Sequence, residues 1–328
     1  MVFSKKAGQH EAAAGVTIRQ KLEFLGLLVA GWVVRHLPRR CLVWFSVPLG
    51  SLVYRLDPRG RRISMQNLDA AFGATMDKRA KKRIAESGYR SFARTMFELF
   101  WSPNLTRKTA GRIFRTEGLA GKSSGVPTIY VTTHFSNFEW LGQNVKFFLG
   151  PGIIVAQRLK NPLLGRYFDR LRGSTGHTVI PQERAIARML KHLKGGGYFC
   201  AVVDLNLDPD EASVIIDEFS GLKTCVTQMH AALALHTGAR VVPAECRPQA
   251  DGTYRMIYHK PLEYSSDATA ADIAQQCWDV LEPGIREAPE CWLWSYKHWR
   301  FKPSGTNMER YPNYANTAKR FDSALLET

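Results

Sequence analysis

The sequence predicts a mixed, mainly parallel α/β sheet flanked by helices, preceded by an N-terminal helical region that associates with a membrane. From Pro127 onward, short β-branched and apolar runs alternate with helical segments, the pattern of a parallel sheet covered by helices. Before that point, apolar segments are flanked by basic residues. We therefore divide the 328 residues into a flexible leader (1–17), a basic helical membrane-associating region (18–125), an α/β core (126–305) and a C-terminal tail (306–328).

The basic charge is concentrated in the N-terminal third. The net charge is +16, and residues 1–125 hold 23 Lys and Arg against 8 Asp and Glu, a balance of +15. The remaining residues hold 22 against 21. Such an excess suits a polyanionic partner, although a solvated basic face on ordinary helices would look the same. Because the basic residues flank apolar segments, we expect an anionic membrane as the partner and no nucleic acid.

Two apolar segments follow the leader. The first, Leu22–Val34, is about thirteen residues long, short of the ~20 that a spanning helix needs. The second, Cys41–Leu56, contains Pro48 and Gly50. We interpret the pair as helices in the membrane interface, with basic residues at the level of the headgroups. A single tilted span and a buried helical hairpin in a soluble protein are the alternatives.

The remaining elements follow from local patterns. Residues 57–72 form a basic segment, and residues 77–101 predict a long helix with basic residues early and aromatic residues late. Further on, strands are predicted at 128–131, 153–156, 178–180, 198–203, 240–244 and 254–258. Helices are predicted at 140–149, 163–171, 183–194 and 225–236.

The six cysteines predict free thiols. They lie at positions 41, 200, 225, 246, 277 and 291, without any Cys-x2-Cys pair, and mostly within apolar runs. Buried thiols in a reducing compartment explain this spacing best. We expect neither a zinc site nor a disulfide framework.

The stretch Thr132–Glu139 holds the first candidate site residues. His134 follows a predicted strand and Glu139 lies in the first turn of the next predicted helix, the place where open α/β sheets bind ligands. A neutral imidazole there can take a proton from a hydroxyl, and Glu139 could orient the ring and stabilise its charged form. Alternatively, Ser136 and Glu139 form a capping box, and His134 is only a hydrogen-bonded residue at a strand end.

Three further residues are candidates. Asp204 ends the apolar strand 198–203 at the same kind of edge as His134, although an aspartate there could simply cap a turn. Arg172 precedes a glycine turn and could stabilise developing negative charge, or could face solvent at a helix end. Arg158 could contribute to the same basic rim. The sequence contains no Gly-x-Ser-x-Gly motif, which argues against a serine nucleophile.

Together these motifs resemble a known family. His134 and Glu139 form a His-x4-Glu motif on a strand-to-helix turn, and other motifs follow in the family's order: Asn67-Leu68, Ala71-Phe72, Asn161-Pro162-Leu163-Leu164, Arg172, Lys194-Gly195-Gly196, Asp204, Pro289-Glu290 and the aromatic cluster Trp294–Trp299. Over residues 20–305 the chain resembles the lipid A biosynthesis acyltransferases, the lauroyl and myristoyl transferases. They belong to the lysophospholipid, or glycerolipid, acyltransferase superfamily. The sequence departs from the family at Asn206, where a second aspartate is usual, and at Tyr296 and Lys297, which replace His and Arg.

The resemblance implies an acyltransferase at the cytoplasmic face of a bacterial inner membrane. It would move a fatty acyl group from acyl carrier protein or acyl-CoA to a hydroxyl of a lipid A precursor or related glycolipid, without a cofactor or metal. His134 would be the general base, with Glu139 orienting and charging it, and backbone donors or Arg172 would stabilise the oxyanion. The alternatives are a lipid or thioester hydrolase using the same histidine, and a non-enzymatic basic protein that binds membrane or nucleic acid.

Overall fold

The computed structural model describes residues 16–119, 125–182, 185–209, 213–304, 308–318 and 320–322. Most of the expected leader, residues 1–15, lies outside these ranges, as do residues 183–184 of the helix predicted from Glu183.

The helices and strands follow one another along the whole chain. The helices are α1 (Ile18–His36), α2 (Arg39–Leu56), α3 (Pro58–Phe72), α4 (Lys78–Trp101), α5 (Arg107–Ile113), α6 (Phe138–Leu149), α7 (Pro162–Arg172), α8 (Ala185–Lys194), α9 (Met229–Thr237) and α10 (Ala270–Glu287). The strands are β1 (Phe114–Glu117), β2 (Thr128–Thr132), β3 (Ile153–Ala156), β4 (Thr178–Pro181), β5 (Tyr198–Val202), β6 (Ser213–Glu218), β7 (Leu222–Thr227), β8 (Arg240–Pro248), β9 (Tyr254–Tyr258), β10 (Phe301–Lys302) and β11 (Asn316–Thr317).

The central sheet has seven strands in the order β1-β9-β8-β2-β5-β3-β4. Every neighbouring pair is parallel except β8 and β9, which are antiparallel. This confirms the predicted mixed, mainly parallel sheet flanked by helices. Strand β2 lies between β5 and β8, with Thr128 opposite Tyr198 on one side and Arg240 on the other. The segment that follows β2 therefore emerges at the centre of the sheet, where parallel strands direct their carboxyl ends to one edge.

Both faces of the sheet are covered. Along β2, Ile129 and Val131 belong to one core cluster, which includes residues of α8, α9 and α10. Tyr130 points to the opposite face, where it packs in a second cluster with Trp140 and Val145 of α6. Alternate side chains of a strand point to opposite faces, so a strand buried on both sides reads as a continuous apolar run. This explains why β2 and β5 were recognisable in the sequence.

Several elements differ from the prediction. The helix predicted at 225–236 is wrong at its start, because Leu222–Thr227 is strand β7, paired antiparallel with β6, and α9 begins only at Met229. The prediction also omitted β1, which joins the main sheet through β9 although it lies in the expected N-terminal helical region. The expected tail contains buried residues, since Tyr311 and Phe321 are 7% and 0% exposed. Local apolar patterns do not reveal a strand's distant partner.

The N-terminal helices pack on α4 and leave an apolar surface uncovered. Helix α2 is continuous through Pro48, and its Gly50 lies directly against the Arg90 backbone of α4. Large apolar side chains of α1 and α2 are exposed, among them Ile18, Leu22, Leu25, Val29, Trp32, Trp44, Leu52, Val53 and Leu56. In the part of the chain that the structure describes, none of the helices combines the length and the apolar character that crossing a membrane requires.

Candidate active site

The turn between β2 and α6 places His134 at the carboxyl edge of the sheet, as predicted. The chain leaves β2 after Thr132, and Ser136 adopts a positive φ of 49°, which is unfavourable for a residue with a side chain. Neighbouring elements hold this conformation: the Ser136 amide donates to the Cys291 carbonyl at 2.7 Å, and the Thr95 hydroxyl donates to the Ser136 carbonyl at 2.9 Å. The turn is therefore fixed from α4 and from the C-terminal segment.

Asp204 is the residue that contacts the His134 ring. It follows β5, the neighbour of β2, and its side chain is fully buried. Its Oδ1 lies 2.7 Å from His134 Nδ1, and its Oδ2 accepts from the His134 amide at 2.9 Å and from the Trp292 indole at 2.8 Å. Burial alone would raise the pKa of Asp204, but the charge of the His134 ring, the hydrogen bonds from His134 and the charge of His298 lower that pKa to about 2. The carboxylate is thus ionised at neutral pH.

The contact with Asp204 fixes the tautomer of His134. Facing a carboxylate, Nδ1 carries the proton and donates it, so Nε2 presents a lone pair. Within the described residues, Nε2 makes no hydrogen bond, and the side chain is 17% exposed. The Phe138 ring packs edge-on against the imidazole at a centroid distance of 4.8 Å. A base with a buried anionic partner and an unpaired nitrogen can accept a proton from a hydroxyl.

Glu139 contacts Arg172 rather than His134. The Arg172 Nε lies 3.1 and 3.0 Å from the two carboxylate oxygens, and Nη2 lies 2.6 Å from Oε1. Burial would lower the pKa of Arg172, but the Glu139 charge and hydrogen bonds raise it. Among the hydrogen bonds of the described residues, none uses Arg172 Nη1, and the side chain is 23% exposed. The pair therefore presents a fixed cation near the sheet edge.

Both interpretations of Glu139 need correction. The expected role of orienting and charging His134 does not match its contacts, because Asp204 contacts the ring. The capping box is also wrong: the helix cap is Asn137, whose side chain accepts from the Trp140 amide at 2.9 Å, and Ser136 lies before the cap in the strained turn. Glu139 is consequently the second helical residue, and it extends toward the end of α7.

Of the remaining candidate, Arg158, the structure gives only a position. It is exposed, in the segment between β3 and α7, and the hydrogen bonds of His134, Glu139 and Asp204 given above do not include it. Within the described ranges, no three His, Cys, Asp or Glu side chains come together as a ligand set for a metal ion. All six cysteines are free thiols, as predicted.

Two residues that support the site were not predicted in that role. Trp292, fully buried, reaches Asp204 from the C-terminal segment, and its ring stacks on His298 at 3.8 Å. Glu98 of α4, also fully buried, accepts from Asn137 Nδ2 at 2.7 Å and from Arg39 Nη2 at 2.6 Å. Glu98 thereby anchors the cap of α6. The aromatic cluster was recognised in the sequence, but which ring would contact the site depends on the tertiary fold.

Two residues that depart from the family pattern, Asn206 and Tyr296, make hydrogen bonds that hold the segment after Asp204. Asn206, where a second aspartate is usual, donates from Nδ2 to Thr224 Oγ1 at 2.9 Å and to the Cys225 carbonyl at 3.3 Å. Tyr296 donates to the Asn206 carbonyl at 3.3 Å. A carboxylate could not donate to these oxygens. The amide therefore fastens the segment after Asp204 to β7.

The structure therefore combines a mainly parallel α/β sheet with a hydrogen-bonded histidine–aspartate pair at its carboxyl edge and an arginine held by Glu139. Residues 14–301 match the model of the bacterial lipid A biosynthesis acyltransferase family, and the chain belongs to this family. It is accordingly an acyltransferase that acts on a lipid, using an acyl donor and a lipid acceptor.

Known relatives share modest sequence identity with the chain. It is 25% identical over 295 residues to a lipid A biosynthesis lauroyltransferase of Escherichia coli, and the alignment covers 88% of this chain and 94% of that protein. It is 29% identical over 184 residues to a phosphatidylinositol mannoside acyltransferase of Mycolicibacterium smegmatis, covering 54% and 58%. The solved 1-acyl-sn-glycerophosphate acyltransferase PlsC of Thermotoga maritima aligns with a TM-score of 0.37 and 16% identity, over 74% of this chain and 96% of that one.

Proposed function

We propose that the protein transfers a fatty acyl group from a thioester, carried by acyl carrier protein or CoA, to a hydroxyl of a lipid A precursor or related glycolipid. The observation that carries the proposal is the hydrogen bond between His134 Nδ1 and Asp204, which leaves Nε2 as an unpaired base at the carboxyl edge of the sheet. The names of the two relatives from Escherichia coli and Mycolicibacterium smegmatis, a lipid A biosynthesis lauroyltransferase and a phosphatidylinositol mannoside acyltransferase, support a lipid hydroxyl as the acceptor.

In the proposed mechanism, His134 Nε2 takes the proton of the acceptor hydroxyl as its oxygen attacks the thioester carbonyl carbon. The imidazolium formed in this step is stabilised by the Asp204 carboxylate, 2.7 Å from Nδ1. When the tetrahedral intermediate collapses, the carbon–sulfur bond breaks, and the thiolate leaves with the proton held by His134. The ester is formed and the histidine returns to its neutral state, so no further reactant is required.

Arg172 is proposed to stabilise the negative charge that develops on the carbonyl oxygen or to bind a phosphate of the acceptor. Glu139 is then a positioning residue, since its carboxylate holds the Arg172 fork at two points and leaves Nη1 for substrate. A fixed donor costs no reorganisation during the reaction, which is how such groups lower the barrier. Arg158 is proposed to contribute to a basic rim around the substrate.

The site of action is proposed to be the cytoplasmic face of a bacterial inner membrane. Support comes from the apolar side chains that α1 and α2 expose and from the basic charge of the same third of the chain. Apolar side chains can enter the interface while Lys and Arg remain at the level of anionic headgroups.

The test is acyl transfer by the purified protein in mixed micelles, with acyl carrier protein and CoA thioesters as donors and a lipid A precursor as acceptor, followed by mass spectrometry of the products. We expect an acylated acceptor, and a rate about two to four orders of magnitude lower for His134→Ala. His236→Ala, a change on the solvent side of α9, is the matched control and should be fully active. Release of free fatty acid irrespective of acceptor would identify a hydrolase, and an active His134→Ala variant would refute the mechanism.

A further inference from the structure

A basic pocket lies away from the candidate active site. It has a volume of about 690 Å³, opens between α2, α3 and α4, and is lined by Arg55, Arg61, Arg62, Lys78 and Lys82. Along α4, Lys82 lies thirteen positions before Thr95, the residue that contacts the active-site turn. At 1.5 Å per residue this is about 20 Å. The pocket is therefore a separate surface feature.

The positive charge of this basic pocket is poorly compensated by the protein. Glu86 is the carboxylate among its lining residues, and it is engaged by Arg90 at 2.7 Å. Burial would raise the pKa of Glu86, yet its hydrogen bonds and the charges of Arg90 and Arg55 lower it. Among the described residues, no carboxylate lies within ion-pair distance of Arg62, Lys78 or Lys82. The local potential is strongly positive.

The placement of the lysines is also unfavourable for α4 itself. Lys78 and Lys82 are four residues apart, so two like charges face each other on one side of the helix. Lys78 also lies in the first turn, at the positive end of the helix dipole, where the carboxylate of the N-cap residue Asp77 accepts from the Ala80 amide at 2.6 Å. An anion between α3 and α4 would relieve the repulsion between the two lysines.

The mouth of the basic pocket continues into an apolar surface. Leu52, Val53 and Leu56 of α2 are exposed, Leu56 by 72%, and Arg55 of the pocket borders this apolar face on the side of Leu52. At 3.6 residues per turn, positions 49, 52, 53 and 56 share one face of the helix. An occupant that matches both features has an anionic head and apolar chains. A free anion would leave the apolar stripe unexplained.

We propose that this basic pocket binds the phosphate group of an anionic membrane phospholipid whose acyl chains lie along the exposed stripe of α2. This proposal rests on the membrane attachment in the proposed function, and it places the contact with the lipid headgroup in the basic pocket. Arg61 contributes to a fixed wall, because its Nη1 donates to the Arg55 carbonyl at 2.6 Å and its guanidinium lies over the Tyr54 ring. Arg62 and Lys82, both exposed, supply the mobile charges.

The test measures sedimentation of the full-length protein with vesicles of phosphatidylcholine, with and without about 20% phosphatidylglycerol. The pocket variant carries Arg62→Glu and Lys82→Glu. The control carries Lys108→Glu and Arg112→Glu on exposed positions of α5, which changes the net charge equally. Because each basic residue at an anionic surface contributes about fivefold, we expect the pocket variant to bind the anionic vesicles at least about tenfold more weakly than the control. Both variants should bind pure phosphatidylcholine vesicles equally.

Thermal melts establish that both variants fold. A third variant, Arg62→Gln with Lys82→Gln, removes the two charges without reversing them and should lose less binding to the anionic vesicles than the glutamate variant.

Each other outcome overturns the proposal. Equal weakening of both variants would mean that only the net charge matters. A pocket variant that binds vesicles normally but loses turnover with acyl carrier protein, and not with CoA, would identify a docking surface for an acidic protein. A melting temperature raised by inorganic phosphate, without any difference in vesicle binding, would identify a site for the free anion. Turnover in neutral detergent micelles is independent of the basic pocket, so its absence in the wild-type protein would contradict the proposed function alone.

Discussion

Replacing Asp204 by asparagine tests the histidine–aspartate pair directly. The buried carboxylate accepts three hydrogen bonds, from the His134 amide, the His134 ring and the Trp292 indole. Asparagine has the same shape but only one oxygen. If that oxygen accepts from the His134 ring, the amide nitrogen of asparagine faces the His134 amide and the Trp292 indole, and both N–H groups lose their acceptor at a cost of about 1–3 kcal/mol each. If the oxygen instead accepts from these two N–H groups, the amide nitrogen of asparagine donates to His134 Nδ1.

The second orientation is the more stable one, and it inverts the tautomer of His134. With Nδ1 accepting, the proton moves to Nε2, and the base can no longer take a proton from the acceptor. We therefore expect turnover to fall by about 10³–10⁴, as in other enzymes where this carboxylate is neutralised. Folding should survive, because a loss of about 1–3 kcal/mol lowers Tm by only about 2–4 °C per kcal/mol in a chain of this size.

The assay is turnover with a saturating acyl thioester and glycolipid acceptor, with a thermal melt on the same preparation. Asp217→Asn is the matched control, since that carboxylate is half exposed on β6 and pairs only with Lys223 among the described residues. The pKa of Asp204 is about 2, below its ordinary value, so its contribution to stability is present above about pH 4 and is lost as the pH falls toward 2. The stability difference between wild type and Asp204→Asn should shrink over that range. An Asp204→Asn variant with more than about a tenth of the wild-type turnover would show that the carboxylate is not needed to set the tautomer of His134.

The other predictions concern Glu139, the buried histidines and the exposed tryptophans. Glu139→Gln should lower turnover about a hundredfold and Tm by several degrees, because it leaves a largely buried Arg172 unpaired; full activity would show that the pair is only structural. Burial lowers the pKa values of three histidines, His177, His230 and His298, to about 4. The free energy of unfolding should therefore fall as the pH drops from about 6.5 toward 4, by about 1.4 kcal/mol per histidine and pH unit. A Tm that is constant from pH 7 to 5 would contradict this. Trp32 and Trp44 are 64% and 68% exposed, and replacing both by serine should weaken binding to uncharged vesicles in a flotation assay, whereas unchanged flotation would place the anchor elsewhere.

The position of His134 at the carboxyl edge of the sheet could be derived from the sequence, but the residue that contacts its ring could not. A β-branched run before His134 and another before Asp204 indicate two buried strands, and the carboxyl ends of parallel strands share one edge. The direction of the Glu139 side chain depends on which residue caps α6. Because the cap is Asn137 and Ser136 adopts a positive φ, Glu139 is turned toward α7. The spacing of residues in the sequence does not reveal which residue caps the helix, and so does not reveal the direction of the Glu139 side chain.

Contacts between distant segments could not be predicted from the sequence either. Trp292 lies 88 positions from Asp204, and no local pattern distinguishes its ring from those of Trp294 and Trp299. The error at β7 has the same origin, since residues 225–227, predicted as the start of a helix, are held as a strand by pairing with β6. The continuous strands of the central sheet were predictable because burial on both faces is visible in a single segment.

The triple hydrogen bonding of Asp204 has a consequence for biosynthesis. Its partners lie 70 positions before it and 88 positions after it, so the acid is fully coordinated only once the C-terminal segment has been made and has folded back. At about 5–20 residues per second, the ribosome needs roughly 4–18 s to extend the chain from Asp204 to Trp292. During that interval α1 and α2 are already complete, while the acid lacks its indole donor. The hydrogen bonding of Asp204 is therefore completed only after both N-terminal helices have been synthesised.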